Sequence, residues 1–317
     1  MIIEPVILFF LLGIAAGLLR SDLKLPAALY ETLSIFLLLA IGLKGGVELA
    51  KHRVTELLIP SLIVVVTGAL LPLTAYPVLR RLGRLKRADA ASIAAHYGSV
   101  SVVTFAVAVT YLGHQQQPYE GYVTLFLVLL EMPALVTGVF LAKGLASPAE
   151  DAAPQWGRLM REVFFGKSIF LLLGGLFIGW YAGPAHIAPL DRLFFDLFKG
   201  VLALFLLEMG LVASGRIAEL KRFGLFLIGF ATVFPLLAGL FGAAIGRMMG
   251  LSVGGTALLA TLYASASYIA APAAMRIAVP EANPALSIGA SLGVTFPFNL
   301  LLGIPVYYWI ALKLHGG

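Results

Sequence analysis

Tyr97-Gly98-Ser99-Val100-Ser101 recurs 166 positions later as Tyr263-Ala264-Ser265-Ala266-Ser267. Each stretch lies inside a long apolar run, where serine hydroxyls are out of place. Three more pairs keep nearly the same offset: Gly13-Ile14-Ala15-Ala16-Gly17 with Gly175-Leu176-Phe177-Ile178-Gly179 at 162, Ile41-Gly42-Leu43 with Met209-Gly210-Leu211 at 168, and Pro133 with Pro297 at 164. Four matches in one order point to an internal duplication. The glycines four apart read as helix-packing positions, because small residues at that spacing let two backbones approach.

The composition says what kind of protein is duplicated. Of 317 residues, 60% are hydrophobic and 12% charged, with a mean hydropathy of +0.98. Soluble domains carry about 25% charged residues; this chain has too little polar surface to cover a core in water. It is an all-α integral membrane protein. Cysteine is absent, which excludes disulfides, zinc–thiolate sites and a thiol nucleophile. The net charge of +6 reports membrane topology rather than nucleic-acid binding, since no basic run is interleaved with aromatics.

A membrane-spanning helix needs roughly 20 mostly apolar residues. Ten such runs are expected, at about 2–19, 27–43, 57–79, 88–112, 122–142, 168–182, 193–213, 223–247, 254–275 and 286–312. The first opens with Glu4-Pro5 and no basic start, so it reads as a span and not as a cleaved signal. Five spans per copy is an odd number, so the second copy is expected upside down relative to the first, an arrangement typical of secondary transporters. The repeats then occupy 1–142 and 168–317, joined by a linker at 143–167 that carries Ser147-Pro148 and Pro154. With the N-terminus outside, 15 of the 22 Lys and Arg fall on the inner side, led by the cluster Arg80–Arg87. Both termini are therefore expected outside and the linker inside, as in a multi-pass protein of an inner membrane.

The fourth and ninth spans are the odd ones. His96 to Thr104 brings together His96, Tyr97, Gly98, Ser99, Ser101 and Thr104; the ninth brings Thr261, Tyr263, Ser265, Ser267, Tyr268 and Pro272. Such clusters at mid-depth predict discontinuous helices, whose free N–H groups and hydroxyls could hold a small anion without a buried arginine. Ionisable residues inside spans are functional candidates, since a charge at mid-bilayer costs about 2.5–3.5 kcal/mol on insertion scales. Glu131, beside Pro133, is the foremost candidate for a cation or proton; Glu208 and Lys44 lie nearer the expected helix ends. Thr295 and Asn299 flank Pro297 and are expected to face the same centre. No metalloprotease, nucleophile-elbow, phosphate-loop or dinucleotide motif is present, so an enzyme is not expected and energy would come from an ion gradient.

These residues resemble the sodium-dependent bicarbonate transporter family known from cyanobacterial carbon concentration. The likeness runs over most of the chain. It is clearest in Ile41-Gly42-Leu43-Lys44-Gly45-Gly46, in Gly98-Ser99-Val100-Ser101 with Thr104, in Met132-Pro133-Ala134-Leu135-Val136-Thr137, and from Arg276 through Val279-Pro280-Glu281-Ala282-Asn283-Pro284. The resemblance implies ten helices in inverted repeats, divided into a moving core and a scaffold and assembled as a homotrimer. It also implies alternating access at a mid-membrane site and, on the cytoplasmic side, a PII-like regulatory partner. Carried over, the substrate contacts fall on Gly98, Ser99, Ser101, Thr104, Ser265 and Ser267. The candidates for cation coupling are Glu131, Tyr268, Thr295 and Asn299, with Na+ as the coupling ion, and Lys44, whose ammonium would stand in for the sodium charge. This sequence departs from the family where serine-serine-serine-aspartate is expected: it reads Ser265-Ala266-Ser267-Tyr268. A glycine-serine-threonine becomes Val102-Val103-Thr104, and a threonine becomes Lys44. The cargo expected is bicarbonate or a similarly small inorganic or carboxylate anion. A cation or proton antiporter would want a carboxylate where the helices cross, and a non-transporting anion sensor would bind without flux.

Overall fold

Peptide groups in an apolar medium have no water to bond, so long apolar runs close their hydrogen bonds within helices. The computed structural model describes residues 4–144, 157, 161, 165–220 and 224–317. Among the described residues every regular element is helical. In chain order these are α1 (Pro5–Leu18), α2 (Ala27–Leu49), α3 (Val54–Arg81), α4 (Arg87–Gly98) and α5 (Val102–His114). They continue as α6 (Val123–Lys143), α7 (Lys167–Ile187), α8 (Phe198–Leu220), α9 (Gly224–Met248), α10 (Val253–Ala264) and α11 (Ala270–Ala278), and end with α12 (Pro284–Leu314). Eight helical stretches, with α4 and α5 taken together, are long and apolar enough to cross a membrane, and α1 and α10 are shorter apolar helices. Large apolar side chains lie exposed along their outer faces, among them Leu12, Leu62, Phe177, Leu237 and Trp309. Many together on one molecule make a surface for lipid rather than water. The chain is a helical multi-pass membrane protein.

Two seams of small residues join one set of helices. Along the first, α1 lies on α8; a Cβ at Gly13 would stand 3.0 Å from the Cα of Gly210, and one at Gly17 would run into Ser214. Along the second, α2 lies on α7; a Cβ at Gly42 would stand 3.0 Å from the Cα of Gly175, and one at Gly46 would run into the carbonyl oxygen of Leu176. Helices α1, α2, α7 and α8 form one packed group. Helices α3 to α6 and α9 to α12 form a second, and contacts between the two groups are sparser than those within each.

Several ends differ from the sequence expectation. The second span runs on to Leu49 instead of stopping near 43, because Gly45 and Gly46 pack within a helix and do not end one. That puts Lys44 inside the helix. The sixth reaches Ile187, with its bend taken up by Gly183 at φ +68° ahead of Pro184. The regular α-helix of the seventh begins at Phe198 and extends to Leu220. Most of the linker at 143–167, including Ser147-Pro148 and Pro154, lies outside the described residues.

Overfilling a tight contact costs about 1–3 kcal/mol. Gly46→Ala and Gly210→Ala should each lower the thermal midpoint of the detergent-solubilised protein. Gly174→Ala, where nothing lies within 4 Å of a new Cβ, should leave it unchanged. Equal midpoints for all three would contradict the seams.

Candidate functional site

Both serine motifs break their helices. Helix α4 stops at Gly98, Ser99 turns extended at φ −83° and ψ 171°, and α5 starts after Ser101 at φ −107° and ψ 111°. Helix α10 stops at Ala264, Ser265 is extended at φ −84° and ψ 166°, and α11 resumes at Ala270. The local cause is serine bonding to freed backbone N–H groups, as the N-cap of α5 and just ahead of Ile269, the N-cap of α11. The hydroxyl of Ser101 accepts from the backbone N–H of Thr104 at 3.1 Å, and that of Ser267 accepts from the N–H of Ala271 at 3.1 Å. Serine competes in this way with the helix ladder and opens a new helix.

The two breaks lie against each other and satisfy each other. The N–H of Ser267 donates to the carbonyl of His96 at 2.8 Å, and the N–H of Ser101 donates to Ser265 Oγ at 2.9 Å. Ser265 Oγ in turn donates to Leu262 O at 2.8 Å, and Thr104 Oγ1 donates to Ser101 Oγ at 2.9 Å. Asn299 Nδ2 donates to Ala264 O, the last carbonyl of α10, at 2.9 Å, while its Oδ1 accepts from the Tyr307 hydroxyl at 2.8 Å. Ser99, Ser101, Thr104, Ser265 and Ser267 are all at most 4% exposed.

Among the described residues, Ser99 Oγ and Glu131 Oε2 here have no partner, and the Tyr268 hydroxyl faces Ser101. A buried polar atom left unbonded costs about 1–3 kcal/mol, so a cluster of them marks a place meant for something else. Ser101, Glu131, Ser267 and Tyr268 line a cavity of ≈ 10 Å³ together with Ser168 of α7, room for about one water. The donors are all oxygens, including one carboxylate, which suits a hard cation such as Na+. Three of the cavity's residues, Ser168, Ile269 and Ala270, also line a larger cavity of ≈ 200 Å³ bounded by Tyr30 and Ser34 of α2.

The expected residues do not all meet. Gly98 supports the break from behind, where a Cβ would collide with Pro72 and Ala134. Thr295 donates to Ala231 O at 2.6 Å and bonds the Tyr97 hydroxyl at 2.7 Å, so it braces α4 against α9 and α12. Asn299 reaches the break through Ala264 and does not line the small cavity. Lys44 lines a different cavity altogether. His96 bonds Ser92 O through Nδ1 at 2.7 Å and belongs to a third cavity. Ser168 escaped the sequence reading: a lone serine opening an apolar run carries no pattern to single it out. Among the described residues no group of acids and histidines could hold a metal ion by itself.

Comparison with curated proteins finds no match. A family model described as the Na+-dependent bicarbonate transporter superfamily matches residues 5–312, from α1 through nearly all of α12 and across both broken helices. The chain belongs to that superfamily.

Proposed function

We propose that the protein is a secondary transporter of bicarbonate or a similarly small anion, coupled to Na+, working by alternating access at the crossing of α4–α5 and α10–α11. The observation that carries this reading is the cluster of unsatisfied buried oxygens at the crossing, in a chain whose family transports bicarbonate with sodium. Glu131 supplies the carboxylate for the cation, in place of the aspartate that Tyr268 displaces. The hydroxyls of Ser99, Ser101 and Ser267 and the N-terminal turns of α5 and α11 face the anion, since helix N-termini favour negative charge.

The reading extends to the whole architecture. Exchange of the two repeats turns the α1–α8 seam into the α7–α2 seam, with Gly13 and Gly17 taking the places of Gly175 and Gly179. That exchange supports an inverted five-plus-five arrangement of ten spans. The sparse contact between the two helix groups supports an elevator in which the second group slides on the first. The crossing cavity has room for about one water, less than a four-atom anion needs, so cargo enters when the groups part.

Uptake of labelled bicarbonate into liposomes is the direct test. An inward Na+ gradient should accelerate it, and Glu131→Gln should remove the acceleration. Acceleration by protons instead would make Glu131 a proton carrier and overturn sodium coupling. No uptake from folded protein under any gradient would overturn transport of bicarbonate.

Ser99 allows a sharper test. Its hydroxyl bonds nothing, so Ser99→Ala should leave the thermal midpoint unchanged or slightly raised. Loss of a hydrogen bond to a charged ligand is worth about 1.5–3 kcal/mol, so KM for the anion should rise roughly tenfold or more. An unchanged KM would place the anion elsewhere.

A further inference from the structure

The cavity that Lys44 lines, of ≈ 190 Å³, lies where α2, α5 and α8 meet, and two lysines are among its lining residues: Lys44 from α2 and Lys199 from α8. Helix α2 gives Tyr30, Glu31 and Ser34 to the cavity that adjoins the crossing and Ala40, Ile41 and Lys44 to this one. Ten residues of helix separate Ser34 from Lys44, about 15 Å, so the two cavities sit at different depths along the same helix. The new one takes in Phe105, the residue after Thr104.

Its chemistry differs from that of the crossing. Phe105, Val109, Phe195 and Phe198 form much of the wall, and no carboxylate lines it. Lys199 also lines the adjoining cavity with Glu4, whose Oε1 is held by His114 Nδ1 at 2.8 Å. A carboxylate seated in the cavity would have two cationic side chains in its lining to pair with. A small hydrated anion would give up its water to phenylalanine faces, whereas a carboxylate with an apolar body would bury that body against them.

We infer that this cavity is a second anion-binding site, for a monocarboxylate bearing an aromatic or branched apolar body, with Lys44 and Lys199 as its charge partners. A ligand there wedges α5, in one helix group, against α2 and α8, in the other. It therefore opposes any sliding of the groups and inhibits uptake; this last step alone rests on the transporter reading.

Calorimetry of benzoate on the purified full-length protein tests the site, with acetate as the control. Benzoate should bind at least tenfold more tightly than acetate. Lys44→Gln and Lys199→Gln should each weaken it tenfold or more, and Lys44→Arg should retain most of the affinity. Both lysines are exposed, so these variants are expected to fold, which the thermal midpoint checks. No benzoate binding to folded protein, affinity unchanged in both glutamine variants, or equal affinity for acetate would each overturn the proposal. In liposomes, benzoate should slow bicarbonate uptake by the natural protein and lose that effect in Lys199→Gln. Binding is read without flux, so absence of uptake would count against the transporter reading and leave the carboxylate site standing.

Discussion

Everything in this molecule turns on how a helix can be interrupted in a place without water. Each interruption frees N–H and C=O groups that lipid cannot bond. Here the freed groups of one helix are answered by the other: Ser267 N–H meets His96 O, and Ser101 N–H meets Ser265 Oγ. Neither break is satisfied alone, so the two motifs had to be placed opposite each other. The rest of the second helix group holds them there. Thr295 ties α12 to Tyr97, Asn299 closes the end of α10, and the Thr67 hydroxyl of α3 bonds that of Tyr263 at 2.5 Å. Away from the crossing, Glu120 accepts from the N–H of Ser252 at 2.7 Å, and Asp89 accepts from that of Asn283 at 2.7 Å. A carboxylate at each end thus clamps a neighbouring loop or helix start onto the broken pair.

Much of this is legible in the sequence for a physical reason. Serine pairs with glycine or alanine in an apolar run have few uses other than capping a break, so YGSVS and YASAS announced both interruptions within a residue or two. Glycines four apart announced the seams. What sequence cannot supply is the partner across the fold. Thr295 and Asn299 were expected at the centre because they flank Pro297, yet they act as braces, one on Ala231 and Tyr97 and the other on Ala264. Ser168 reaches the crossing from α7, and no spacing within its own helix foretells that. The second span outruns its expected end near 43 and reaches Leu49. At Gly45 and Gly46 the missing side chain serves close packing against Thr124 and Leu176, and the helix continues through it.

Both helix groups use close glycine packing, which in the second joins α9 to α10 at Gly242 and Gly246, but they differ in their hydrogen bonds. The first is joined by backbone contact along glycine seams, where dispersion at short range replaces the hydrophobic effect that lipid does not provide. The second is knit by hydrogen bonds around the crossing. A group held by many mutual hydrogen bonds keeps its shape better than it keeps its position, while a boundary containing cavities of ≈ 190 and ≈ 200 Å³ loses little contact when it shears. Rigid-body movement is therefore the cheaper deformation, and the proposed elevator asks for nothing more.

The exchange of aspartate for Tyr268 bears on the same point. The family resemblance puts a carboxylate on the ninth span, whereas this chain has Glu131 on the fifth, with the phenol and the carboxylate lining one small cavity. On the proposed reading, Glu131 supplies the carboxylate of the site. Tyrosine fills volume and edges against Phe296 at 5.1 Å between ring centroids, so a cation there would be met by one full negative charge from α6 and by neutral oxygens from α5 and α11. With a single carboxylate, binding a monovalent cation neutralises the site, and an anion then adds one charge to a neutral crossing. On that reading, the cation supplies the counter-charge that a buried Glu131 carboxylate lacks, and the anion is then drawn to a crossing that holds the cation.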